Sequence, residues 1–361
     1  MNKDSRAFWK KLLSNRLSAL GLIIIGLTCI SAILAVPLSP DRSPDANAIQ
    51  LPLAAKKPGF QVQVLQIPDS IENSGSLVQW FSGIPEQKTE IPILDYDIQD
   101  NGIWITHYAE EAADGIREFI PKTRFPEGQI RSHNISWKKF WLGTDRFGRD
   151  MLSRMLLGAR VSIAVGMLAV FISMIVGIIL GALAAYYGGG IDKVIQWLMN
   201  VIWSLPTLLL VIAFALALGK GLWQIFIAIG LSMWVDVARL VRGQVLSLKE
   251  KEFVEAARVL GLPDWQILFK HILPNLIGPL TVVAAANFAS AILLEAGLSF
   301  LGLGVQAPAP SWGQMIKEHY GYIVLDSAYL AIIPGIAIML LVMSFNFVGN
   351  GLRDALDVKL K

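Results

Sequence analysis

A chain that acts by its own chemistry must carry residues for it, and the candidates here are few. Gly219-Lys220-Gly221 lacks the Gly-x-x-x-x-Gly-Lys-Ser/Thr spacing that lets backbone amides cradle phosphates, so the chain has no such site for hydrolysing ATP. Gly302-x-Gly304-x-x-Ala307 imitates a dinucleotide fingerprint, yet it closes an apolar run instead of joining a strand to a helix. His-Glu-x-x-His is absent, and no Ser or Cys stands in a nucleophile turn. His107 and His133 share no ligand-like spacing and read as solvated or half-buried histidines. Asn134-Ile135-Ser136 fits a glycosylation acceptor, a pattern that is common by chance. The sequence therefore points away from an enzyme, a metal site or a bound cofactor.

Ionisable residues inside apolar runs are the second place to look, because burying them in a membrane is expensive without a role. Asp236 and Glu295 are the two candidates. Asp236 is three residues before Arg239, where pairing at the membrane interface is ordinary. Glu295 is flanked by apolar residues on both sides; it reads as a carboxylate bonded to a neighbouring helix or facing a water-filled cavity. One carboxylate does not make a proton relay.

The elements that would position these residues follow from composition. Of 361 residues, 54% are hydrophobic and 16% charged, against about 25% charged in ordinary soluble domains. The deficit collects into six apolar segments, 17–36, 161–186, 195–218, 222–237, 280–305 and 329–348. A helical span needs about 20 such residues, and lipid leaves helices as the spanning form for segments of this length. The expected fold is an all-α polytopic membrane protein of about six transmembrane helices. Lys3, Arg6, Lys10, Lys11 and Arg16 precede the first segment, which is longer than a signal-peptide core and reads as a retained anchor. The single cysteine, Cys29, lies within it, so no disulfide forms inside the chain.

Charge asymmetry orients the spans. The N-terminal tail holds five Lys/Arg, residues 239–279 hold six, and Arg353, Lys359 and Lys361 follow the last span, whereas Lys220 and Lys317 are alone in the short connections opposite. The positive-inside rule places both termini and the 239–279 loop in the cytoplasm. The net charge of +3 reflects this topology and gives no footing for nucleic acid. The chain divides into 1–36 (tail and first span), 37–140 (an extracytoplasmic insertion) and 141–361 (five spans with the loop). Strand-like alternation at 61–67, 90–98 and 102–107 makes the insertion β-rich. Glycines 166, 177 and 181 in the second span allow close helix packing.

The 239–279 loop carries the functional expectation. Residues 248–260 favour a helix, with Phe253, Ala257 and Leu260 recurring at helical spacing. Gly261-Leu262-Pro263 stops it, Asp264 is placed to cap a second helix with Ile267, Leu268 and Ile272 inward, and Pro274 is expected to end that one. Small Ala256 and Ala257 leave a shallow surface for a partner, with Glu255 offering a charge beside them. A lipid-surface helix would instead favour Lys and Arg over Glu250, Glu252 and Glu255. In the 142–160 segment, Thr144 or Asp145 can cap a lead-in helix on which Asp150 and Arg154 form an i, i+4 pair.

Glu255-Ala256-Ala257, three residues, Gly261, then Leu273-Pro274 resembles the coupling-loop signature of binding-protein-dependent ABC importer permeases. His271-Ile272-Leu273-Pro274-Asn275 is similar to its dipeptide/oligopeptide/nickel branch. Leu142-Gly143-Thr144-Asp145-Arg146-Phe147-Gly148-Arg149-Asp150 resembles the segment that leads into the second span of that branch's C-type subunit. Glu295-Ala296-Gly297-Leu298-Ser299-Phe300-Leu301-Gly302 and Gly351-Leu352-Arg353-Asp354-Ala355-Leu356-Asp357 resemble it too. The long insertion departs from that pattern. The resemblance implies a bacterial inner-membrane subunit that forms half of a path for di- or oligopeptides, beside a second permease subunit. Two cytoplasmic ATPase subunits would hold ATP and Mg, an extracytoplasmic binding protein would deliver cargo, and Glu255, Ala256, Ala257, Gly261, His271, Leu273 and Pro274 would couple to the ATPase. A nickel importer of the same branch, or an exporter component without a binding protein, is the alternative.

Overall fold

The computed structural model of the chain describes residues 3–68, 79, 83, 88–109, 115–125, 130, 134–219 and 221–356. Helix α1 (Lys3–Ser14) leads into α2 (Arg16–Ile33), with Asn15 between them accepting from the amides of Leu17 at 3.1 Å and Ser18 at 3.4 Å. After the insertion come α3 (Met151–Tyr187), α4 (Gly189–Trp203), α5 (Thr207–Leu218), α6 (Leu222–Lys249) and α7 (Glu252–Val259). A continuous helical stretch, α8 (Asp264–Leu301), then α9 (Trp312–His319) and α10 (Tyr329–Leu356) complete the helices that matter here. Among the described residues, α2, α3, α6, α8 and α10 are long and apolar enough to cross a membrane. The expected polytopic helical fold is present, with three departures.

The third expected span is not straight. A bend of 97° separates α4 from α5 at Ser204-Leu205-Pro206, where proline lacks an amide to continue the ladder and bars its predecessor from helical angles. The fourth runs beyond 237 to Lys249, because its charged end is paired. Arg242 grips Asp192 of α4 bidentately at 2.7 and 2.8 Å. Arg239 reaches Asn200 at 3.0 Å and lies 3.8 Å from the Trp203 ring centroid, so it turns to α4 and not to Asp236. Pro274 does not end a helix. The path widens to an i→i+5 turn over Ile267–Ile272, tightens over Leu273–Leu276 and continues to Leu301; this spares the clash of the proline ring with the preceding turn.

The insertion holds strands β1 (Phe60–Pro68), β2 (Lys88–Gln99), β3 (Gly102–His107), β4 (Arg117–Pro121) and β5 (Ile135–Phe140). They form one antiparallel sheet in the order β4-β3-β2-β1-β5. Neighbouring residues on a strand point to opposite faces, and Val64 and Leu65 are both fully buried, so β1 is covered on both sides. Val64 packs with Leu53, Val62 and Phe140; Leu65 packs with Ile67, Ile103, Ile105 and Ile120. His107 is half-exposed and sits 2.7 Å from Glu118 Oε2, His133 lies outside the described residues, and Asn134 is buried, which ill suits a glycan.

Helices α3 and α6 make the most extensive helix contact. A side chain at Gly181 would place its Cβ 2.5 Å from the Ala238 carbonyl and 2.9 Å from Val241 Cβ. Overpacking of that kind costs about 1–3 kcal/mol. We expect Gly181→Leu to lower the thermal midpoint of the detergent-purified protein and Gly190→Ala, whose Cβ meets open space, to leave it unchanged; a differential scanning fluorimetry melt of each variant checks this.

Candidate functional site

The loop expected to couple to a partner is an elbow standing on a packed floor. Helix α6 ends at Lys249, α7 starts at Glu252, and Gly261 adopts φ +71°. The Gly261 amide donates to the Arg258 carbonyl at 2.9 Å and the Leu262 amide to the Ala257 carbonyl at 3.2 Å. This paired closure satisfies the last carbonyls of α7 and needs a left-handed residue, which glycine adopts without strain. Beneath, Val254 and Ala257 bury against Ile267, Leu268, Ile272 and Leu276, and onto Val241 and Val245 of α6. Above, Phe253, Val259, Leu260, Trp265 and Phe269 stand out of the chain.

The coupling residues named from the sequence are divided by this geometry. Glu255, Ala256 and Gly261 lie exposed on the outer side of the elbow, Pro274 is exposed further along, and His271 and Leu273 are half-buried. Ala257 is buried and belongs to the floor. Leu260 reverses the expectation: it is 78% exposed and Val259 88%, so the inward stripe is Val254 and Ala257, not Phe253, Ala257 and Leu260. In two helical turns, two inward residues satisfy the floor and the third has nothing to reach. Asp264 makes no capping bond; its carboxylate accepts from the Tyr186 hydroxyl at 2.6 Å.

A second polar centre sits at the opposite end of α3. The 142–150 segment is a tight loop closed by a Thr144–Asp150 bridge, and the helix begins only at Met151, capped by Asp150, which accepts from the Ser153 amide at 2.7 Å. Asp150 therefore does not pair with Arg154. Asp145 accepts from Arg149 Nε at 2.6 Å, and Arg149 reaches Glu318 of α9 at 2.9 Å. Arg154 lies 3.6 Å from Asp145 and 3.9 Å from Glu318. Burial alone would raise the Glu318 carboxyl, but Arg154 and Arg149 outweigh it and hold it below the usual range. Burial pushes the His319 imidazole down. Its Nδ1 donates to the Met315 carbonyl at 2.8 Å, and Nε2 has no partner among the described residues. Asp145, Glu318 and His319 bring ligand-type atoms within 4.8 Å of one another. Two guanidiniums already occupy both carboxylates, so the cluster is built as an ion-pair network.

Glu295, in α8, is fully buried and accepts from Ser299 Oγ at 2.7 Å and Ser311 Oγ at 2.8 Å. Ser311 in turn caps α9 by accepting from the Gln314 amide at 3.1 Å. The carboxyl thus ties the end of one helix to the start of the next, as a bonded carboxylate was expected to do.

The model of the family described as binding-protein-dependent transport system inner membrane component matches residues 177–361, and the chain belongs to that family. It is similar to the glutathione transport system permease protein GsiD of Pectobacterium atrosepticum, 42% identical over 238 residues, 66% of this chain and 76% of that protein. It is also similar to the dipeptide transport system permease protein DppC of Alkalihalophilus pseudofirmus, 45% identical over 221 residues, 61% and 72% of the two chains. The oligopeptide transport system permease protein OppC of Haemophilus influenzae is 45% identical over 219 residues, 61% and 70%. The resemblance read from four motifs holds, and the chain is a multi-pass permease component of an ABC importer.

The Asp145–Glu318–His319 cluster has a pH signature. A histidine held below its ordinary value of about 6.5 makes the fold lose stability as pH falls from there toward its folded pKa. Glu318, also depressed, acts in the same direction below its ordinary value, whereas Asp150 and Asp45, raised by burial, act in the opposite direction from their ordinary values upward. The histidine's share is isolated by comparing the wild type with a variant that lacks it. We expect His319→Gln to lose less thermal midpoint than the wild type as pH is lowered below about 6.5; melts of both at stepped pH check it.

Proposed function

We propose that this chain is one permease subunit of an ATP-driven importer for di- or oligopeptides and that the elbow of residues 249–274 is where an ATPase subunit grips it. The carrying observation is the exposure of Val259 and Leu260 at the tip of a rigid, closed turn. Contiguous exposed apolar surface beside small and charged residues marks a protein-docking site. Glu255 would offer the ATPase a charge, Ala256 a close approach, and Gly261 the turn; Ala257, His271, Leu273 and Pro274 would support them from the floor and beyond. In this reading both termini and the elbow are cytoplasmic, a second permease subunit completes the path, two ATPase subunits hold ATP and Mg, and an extracytoplasmic binding protein delivers the cargo. The peptide cargo is supported by what the relatives' names say they carry. ATP-driven closure would move the elbow as a rigid body and rock the spans between two packed arrangements.

A Cβ on Gly261 would meet nothing within 4 Å in this chain. Beyond the backbone strain of φ +71°, any effect of a larger side chain must therefore be felt by a partner. We expect Gly261→Asp to insert into the membrane at normal level while uptake of a radiolabelled tripeptide falls by about tenfold or more, the scale of one lost docking contact of about 1.4 kcal/mol. Glu255→Ala combined with Gly261→Asp should deplete an ATPase from affinity pull-downs of the native membrane. An ATPase that binds regardless of the elbow, or wild-type uptake by Gly261→Asp, would falsify the reading.

A further inference from the structure

Three pieces of chain around the elbow converge on one side chain. Tyr186 is the penultimate residue of α3, buried in the floor that also holds Val254 and Ala257. Its hydroxyl donates to Asp264 Oδ1 at 2.6 Å, and Asp264 opens α8, five residues after the end of α7. Its backbone carbonyl accepts from Lys249 Nζ at 2.6 Å, and the same ammonium lies 5.6 Å from the phenol ring centroid. Lys249 closes α6, three residues before α7 begins. Chain enters and leaves the docking helix, then, through bonds to a single residue of a third helix. Both bonds involve a charged group, the stronger class of hydrogen bond.

Helix α3 is 37 residues long, about 55 Å at 1.5 Å per residue. Its other end carries Arg154 in the Asp145–Glu318 cluster, which joins α3 to α9. A stiff rod held at one end by the elbow and at the other by a buried ion network is a physical element able to transmit displacement. We propose that Tyr186 is a positioning residue that locks both flanks of the docking helix to α3, so that ATPase-driven movement of the elbow reaches the outer face along that helix. The inference rests on the reading of α7 as the ATPase contact.

The test uses the whole transporter in lipid nanodiscs, followed by hydrogen–deuterium exchange with and without ATP plus vanadate, so it needs no knowledge of the cargo. In wild type, nucleotide trapping should change exchange at 252–263 and also at 141–160. Tyr186→Phe keeps the ring and its packing and removes only the hydroxyl. It should retain the ATPase, keep the response at 252–263, lose at least about fivefold of the response at 141–160, and exchange about tenfold faster at 260–266 without nucleotide, the scale of a lost hydrogen bond to a charged group. Asp264→Asn, which keeps an acceptor, should transmit as wild type does, and Asp264→Ala should match Tyr186→Phe.

Wild-type transmission by Tyr186→Phe overturns the inference, as does an equal loss in Asp264→Asn, or a wild type in which the outer end never responds. Loss of the ATPase in Tyr186→Phe would make Tyr186 an assembly residue and also overturns it. An ATPase absent even from the wild-type complex defeats the docking reading itself, and this one with it.

Discussion

Backbone-to-backbone approach of α3 and α6 is the contact on which the other arrangements depend. Gly177 and Gly181 of α3 lie against Val237 and Ala238 of α6, and Gly230 of α6 lies against Ile172 of α3. In lipid, where apolar side chains gain nothing by leaving water, association rests on such close packing. One of the two helices ends in the elbow of α7 and the other runs from the Asp145–Glu318 ion cluster to Tyr186. Fix their mutual position, and the floor under Val254 and Ala257 is fixed too.

Three charged groups inside this frame show how neighbours hold them. Arg242 ends a long apolar helix, yet Asp192 accepts from two of its nitrogens. Arg149 spans from Asp145 to Glu318, and Glu295 draws on two serines. Removing a partner from such a pair leaves an uncompensated charge in low dielectric, which is far costlier than replacing the pair. These groups therefore bind helices to one another at defined heights, which apolar packing alone would leave free to slide.

The parts legible in the sequence are those set by local rules. Apolar length located the spans, alternation located three strands, and Gly261-Leu262-Pro263 announced the turn, since only glycine takes its φ without strain. Where distant residues decide, the sequence is silent. The extension of α6 to Lys249 depends on Asp192 and Asn200 accepting its arginines; composition alone sees charges and ends the span. The ion cluster joins Asp145 to Glu318 across nearly half of the chain's length, so no spacing reveals it. Leu260 faces outward because α7 is eight residues long, too short for periodicity to set a face. Pro274 was absorbed by a widened turn, an adjustment that its identity does not announce.

The bend between α4 and α5 has a consequence for solvation. Helix α5 holds 12 residues, about 18 Å at 1.5 Å per residue, well short of the roughly 30 Å hydrocarbon core. Pro206 precedes it, and no side chain caps the amides of its first turn. Hydrocarbon cannot accept those hydrogen bonds, and irregular backbone at depth survives only against protein or water. Leu205, Leu208 and Leu209 beside the bend are nonetheless exposed in the isolated chain. Wherever this corner lies within the hydrocarbon, its donors therefore require protein or water beside them, which its exposed leucines do not provide.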